Sequence, residues 1–443
     1  MSAHHGSDMP TREELVSLIQ RNPVSPRLKM ASLVLAVLGF AVFVIYAAMG
    51  EDRAWQAFHV NWLYFTIPSS AGVMLAAVQR ITTARWSRAV IRLVEGFVAW
   101  MPVAFVLLLV TIFGKSHIFP WTHETIAIPE KAKWLDPTFW SIRSIVVYGI
   151  LTALSVWYTY TSVRVDVGLL PEWGASWARG IRERMRRGFG EERREMHSTH
   201  SLQGKLAVFL ALAFGFGWTI LAWDLSMSMD YHFQSTMYGW QVFMGGWLVM
   251  LMVFALLLRV WRNFLGAHDL ITETHLHDVG KLCFAFTAFW GYLTFSQYLV
   301  IWFGNVGEET HFLRQKLVEP WTPLTVTVAF LVFGAPFFGL LGKAPKLYTP
   351  TMAFFAACAM VGMWIHRYLE IYPPIYLQLV TSVPFGLVEI GTTVGFLGLW
   401  GYTYLSFMDA FPRMRVVWMT SPYRDEMQVP VDAETMEPLP AHE

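Results

Sequence analysis

Two features are scarce in this sequence of 443 residues: cysteine, with two, and charge, at 15% of positions. Cys283 and Cys358 both lie in apolar stretches, so neither a disulfide framework nor a cysteine-ligated iron–sulfur cluster is available. No Gly-rich phosphate loop and no metal-ligand spacing is evident, and no nucleic-acid partner is expected. The first 28 residues lack the apolar core of a secretory signal, which predicts a retained N-terminal segment. The formal net charge of +1 says nothing by itself, but arginines gather in alternate connections.

What is abundant is apolar surface, 55% of residues with 16% aromatic. That composition predicts an all-α polytopic membrane protein. A spanning helix needs about 20 apolar residues, and candidates lie at 29–49, 58–79, 89–113, 139–160, 203–225, 239–261, 279–303, 322–342, 349–369 and 387–409, about ten in all. Residues 1–28 form an N-terminal segment, 29–412 the membrane domain and 413–443 a polar tail that could extend over a partner. Thr11 and Glu14 have capping-box spacing, which predicts a short amphipathic helix on the membrane surface or on a partner.

An even number of spans puts both termini on one side. Arg164, Arg179, Arg182, Arg184, Arg186, Arg187, Arg193 and Arg194 in the 161–202 connection assign that side to the cytoplasm. This connection reads as a basic amphipathic stretch, with a solvated face near anionic headgroups favoured over a ligand site. The 114–138 and 304–321 loops, on the outer side, are expected to dock onto partners, the first for its length and its Pro and Trp content.

Residues 278–311 are the most informative stretch. Thr287, Gly291, Thr294 and Tyr298 recur at intervals of four, three and four, with Gln297 beside them, so they share a helix face that should turn away from lipid. Small residues are also common where membrane helices simply pack, and both readings stand for Gly291 and Thr287. Ionisable residues are costly in lipid and require internal partners. On the cytoplasmic half these are Arg92, Glu95, Asp278, Lys281 and Asp409, and on the outer half Asp224, Tyr298, His366, Glu370 and Glu389. His366 and Glu370, four apart, could relay protons. A candidate proton path therefore comprises Glu95, Asp224, Lys281, Thr294, Tyr298, His366, Glu370 and Thr393. Against it, Glu370 and Glu389 could reach water at the helix ends while Arg92 and Asp409 snorkel to headgroups. His59 and His366 are the membrane histidines a haem would need, and they make a weak pair.

The run HDVGKLCFAFTAFWGYLTFSQYLVIWFGNVGEET (277–310) resembles the seventh helix and outer loop of the large membrane subunits of alternative complex III, in the NrfD/PsrC-like family. WDLSMSMDYHFQSTMYG (223–239) resembles a family segment, with Tyr231 at a proline position and Gln234 at an aromatic one. QRITTARWSRAVIRLVE (79–95) is similar to the second cytoplasmic connection of the ActF-type subunit. The resemblance implies two four-helix bundles, the second to fifth and sixth to ninth helices, flanked by the first and tenth. It implies a multi-pass subunit of the bacterial inner membrane in a quinol:cytochrome c or quinol:oxidase complex. Its partners would be an ActC-type paralogue, a periplasmic iron–sulfur subunit, multihaem cytochrome c subunits and a terminal oxidase. Haem c and iron–sulfur clusters belong to those partners, and no redox cofactor is expected in this chain, which would support proton movement and assembly. Quinone remains an alternative ligand, with Asp230 and His232 as candidate contacts. A secondary transporter and a pure scaffold are the competing functions.

Overall fold

The computed structural model describes residues 10–377 and 380–427. The first nine residues and the tail beyond 427 lie outside the described residues, so the expected extension of that tail over a partner is not described. Among the described residues the chain is helical and contains no strand. Ten long helical segments follow one another: α1 (Pro26–Ala48), α2 (Asp52–Ile81), α3 (Arg92–Phe113), α4 (Pro137–Leu169), α5 (Glu192–Leu225), α6 (Thr236–Leu265), α7 (Glu273–Gly304), α8 (Thr322–Gly339), α9 (Thr349–Tyr376) and α10 (Leu387–Ala410). Seven helices, α1, α3, α4, α5, α6, α8 and α9, are long and apolar enough to cross a membrane. The other three run for 30, 32 and 24 residues. They carry more polar side chains, such as Gln56, His59 and Asn61 in α2 and Glu389, Thr392 and Thr393 in α10.

Packing follows the placement of small residues. α1 lies along α10 because Gly39 meets Gly395 backbone to backbone; a Cβ on Gly39 would sit 2.2 Å from the Gly395 nitrogen. α2 packs against α3, α5, α6, α9 and α10, and α4 packs against α3 and α5. α6 packs against α7 and α9, and α9 also carries α8. Two segments depart from a regular α-helix: α3 passes through a 3₁₀ turn at Gly96–Ala99, and α8 is π-helical at Ala329–Gly334.

Arg12 pairs with Glu192 and donates to Thr420, so both ends of the described chain lie together, at the end that also carries the arginine-rich connection. The Thr11–Glu14 capping box forms as the spacing predicts. The helix it starts, Arg12–Arg21, buries Leu15 and Ile19 against this chain. The arginine-rich connection presents the expected solvated basic face, with Arg179, Arg184, Arg187, Arg193 and Arg194 exposed, but not every arginine belongs to it. Arg182 is buried, donates to the carbonyls of Ala175 and Ala410, and shares Glu172 with Arg186. Burial alone would raise the Glu172 carboxyl, but the two guanidiniums hold it below its usual range.

At the opposite end the 114–138 loop folds back onto its own chain. Lys131 donates to the carbonyls of Tyr231 and His232, both at 3.0 Å, and Trp121 is buried beside Phe119 and Trp140. These contacts cover the ends of α4 and α5.

Candidate functional site

Near the opposite end, α9 places His366, Arg367 and Glu370 within little more than one turn. Arg367 Nη1 lies 2.6 Å from Glu370 Oε2, and His366 Nδ1 lies 3.4 Å from Glu370 Oε1. Arg367 also donates to the Val242 carbonyl on α6. That approach depends on Gly245, where a Cβ would come within 2.9 Å of the guanidinium. Ser226, just past α5, donates to Glu370 Oε2 at 3.2 Å and lies 2.6 Å from the Tyr238 hydroxyl. Glu370 is buried with its charge matched by Arg367, the arrangement that makes an interior carboxylate tolerable.

This cluster opens into a cleft of about 710 Å³ between α7, α8 and the 307–317 segment. Glu370, His366, Thr294, Gln297, Tyr298 and Lys316 all line it. Thr294 accepts a hydrogen bond from Gln241 at 3.1 Å. Gly291 is filled by the Phe333 ring, which a Cβ would meet at 2.4 Å, so this member of the stripe serves close packing. Thr287 is buried and donates to the Cys283 carbonyl. Tyr298 borders the cleft but is 40% exposed, so it is not enclosed as the expected inward face would have it.

Lys316 is half-buried on the cleft wall, its ammonium 3.5 Å from the centroid of the Phe312 ring. Burial pushes its pKa down to about 8, although Glu370 and Asp230 pull it upward; Arg367 adds to the lowering. Asp230 is buried, accepting from Gln315 at 3.0 Å with His311 at 3.3 Å. His232 is exposed and packs its ring on Tyr231, so these two quinone candidates do not converge on one site.

Asp224 forms a second buried pair at this end. Arg143 from α4 grips it with Nε and Nη2, each at 2.7 Å, and Trp134 donates to it at 3.0 Å. The Arg143 guanidinium also stacks over Trp134, 3.8 Å from the ring centroid. Asp224 thus does not touch Glu370, but Ser226 stands between them in the chain.

At the arginine-rich end, Arg92 lies between two carboxylates, 2.7 Å from Glu95 and 2.5 Å from Asp166. All three are fully buried. Ser162 donates to Glu95 and the Val417 amide donates to Asp166, so the triad ties α3, α4 and the segment after α10 together. Arg92 therefore does not snorkel, and Glu370 and Glu389 are buried against partners and not exposed at helix ends; Glu389 is held by Arg53 and Tyr372. Asp409 pairs with Lys29 at 2.7 Å.

Of the proton-path candidates, Thr294, Tyr298, His366 and Glu370 meet in one cleft. Glu95 belongs to the distant triad. Lys281 is exposed and paired with Asp278, outside any buried route. Thr393 donates to the Glu389 carbonyl and lines a separate groove of about 450 Å³ with Ser69, Trp364 and Trp400, so it does not continue the line from Thr294. His59 lies against the Leu225 carbonyl at 2.6 Å, while His366 faces Glu370. Among the described residues no three His, Cys, Asp or Glu side chains are placed to hold a metal ion.

Sequence reasoning missed Arg367, Arg143, Asp166 and Lys316. Arg367 had a signal, three residues before Glu370 and next to His366. The others had none, because their partners are distant in sequence. No protein-family model matches this chain, and no curated protein matches it.

Proposed function

We propose that this chain is a proton-handling membrane subunit of a quinol-oxidising respiratory complex, of the ActF type in alternative complex III. The observation that carries the reading is the buried Arg367–Glu370 pair with His366 beside it, a cluster that opens into a cleft. Ionisable groups are costly at this depth, and where they face a cleft they mark a candidate path for protons or ions. In this reading all ten long helices span the inner membrane. α2 to α5 and α6 to α9 form two four-helix bundles flanked by α1 and α10. The arginine-rich end, with both termini, faces the cytoplasm. Glu370 and His366 then exchange protons on the outer half, while an ActC-type paralogue, a periplasmic iron–sulfur subunit and multihaem cytochromes carry the electrons.

The test is the intact complex reconstituted in liposomes with Glu370→Gln. Proton translocation falls while electron flow continues if the reading holds; an unchanged proton-to-electron ratio overturns it. A second reading, quinol bound in the cleft, is favoured by the way His366 and Glu370 line an apolar recess. In that case Glu370→Gln slows quinol oxidation itself.

A further inference from the structure

The cleft has a feature that neither protons nor a neutral quinol explains, a lysine ammonium on an apolar wall that feels Glu370 and Asp230 at a distance but forms no ion pair among the described residues. Glu370 is matched by Arg367 at 2.6 Å, and Asp230 is shared by Gln315 and His311. Among the described residues no carboxylate lies within 4.0 Å of Lys316 Nζ, whose partner is the Phe312 ring. The opposite walls are Phe295, Val328, Phe333 and Phe337.

The shape points to the occupant. α8 rests on α7 along its π-helical turn and Ala335–Gly339, whereas Thr322–Val328 packs on α9 instead. The two helices therefore part toward the Lys316 end, and the slot closes where Gly291 meets Phe333. It opens sideways, beside Tyr292 and Phe295, both more than 60% exposed. A partner helix, about 10 Å across with its side chains, would overfill such a wedge. An acyl chain fits it, and an anionic headgroup would satisfy the ammonium at its wide end.

We propose that this cleft is a binding site for an anionic phospholipid, with one acyl chain along the Phe295–Phe333 wall and the phosphate at Lys316. The chemistry required is a negatively charged head on an apolar tail, drawn from the leaflet at that end of the bundle. Zwitterionic lipids place a cation beside the phosphate and lose the charge match.

The full chain, alone and in its intact complex, is placed in bilayers with acyl-chain spin-labelled phosphatidylglycerol or phosphatidylcholine. The immobilised fraction is then read by electron spin resonance. Phosphatidylglycerol is retained about fivefold more strongly, the effect of one lysine–lipid charge contact. Lys316→Gln removes that preference and Lys316→Arg restores it, which separates lost charge from lost folding. Equal retention of the two lipids, or a preference unchanged in Lys316→Gln, overturns the proposal. So does a preference in the isolated chain that vanishes in the complex because a partner helix covers the cleft. No electron donor or proton gradient is used, so failure here leaves the proton reading standing and success does not depend on it.

Discussion

The two charge clusters use the same chemistry and differ in what surrounds it. Around Arg92, one guanidinium serves two carboxylates, and every member is sealed from solvent among α3, α4 and the chain after α10. Around Arg367, one guanidinium serves one carboxylate, backed by an imidazole and a serine, and the group faces a cleft. A sealed triad has nowhere to send a proton and is costly to break. An open pair can exchange a proton with whatever enters the cleft. Burial alone therefore does not separate a structural charge from a working one, and access does.

The largest expected effect tests the sealed cluster. Arg92→Met leaves Glu95 and Asp166 buried without the guanidinium that bridges them, with Arg415 acting on Asp166 only at longer range, which costs about 3–5 kcal/mol. Arg367→Met leaves Glu370 with Ser226, His366 and cleft water, so a loss of about 1–3 kcal/mol is expected. Thermal unfolding of both variants in the same detergent checks the order. Equal losses would erase the distinction between sealed and open clusters.

The next effect concerns proton movement. In the reconstituted complex, Glu370→Gln removes a titrating group at the cleft and is expected to slow proton transfer about a hundredfold, the low end for a positioned acid or base. Glu95→Gln is expected to lower the unfolding temperature while leaving the proton-to-electron ratio near wild type. A Glu95 variant that loses pumping but keeps its stability would restore a two-ended path and make the triad a working half of it.

The same contrast explains what was legible in the sequence. Hydropathy and the four-three-four spacing in α7 placed the long helices and brought Thr294 and Gln297 to an interior cleft, because both depend on local periodicity. Tyr298 followed the same spacing and borders the cleft while staying partly exposed, since a helix face is wider than the slot it borders. The depth of an ionisable group was a poor guide to its state. Arg92 and Glu370 both looked able to reach water or headgroups, yet each is buried against a partner. Asp166 is 74 residues from Arg92 and Arg143 is 81 from Asp224, separations over which no pattern predicts a contact. The outer loop shows the same limit: its Trp and Pro content marked a packing segment, but not that Lys131 and Trp134 would reach the 224–232 stretch of this chain.

The smallest effect sharpens the comparison at the open end, through the pH dependence of lipid selection. Phosphate recognition needs the Lys316 ammonium, whose pKa in the folded chain is about 8 instead of the ordinary 10.5. Preference for phosphatidylglycerol is thus fully present below pH 8 and falls as pH rises past it. A bound phosphate favours the ammonium, so the midpoint should climb as lipid is added. Without lipid the sign reverses. The unfolded chain holds that proton up to about 10.5, so stability rises between pH 8 and 10.5. Asp230, Glu370, Arg367 and His366 act on the ammonium, Tyr238 and Tyr298 line the same cleft, and all of them survive in Lys316→Gln. Any titration of theirs persists in that variant and can be subtracted. A fivefold preference that fades near pH 8 in the native chain and is absent at every pH in the variant assigns the effect to one lysine. A fade that persists in both would move it to the acid and imidazole groups of the open cluster.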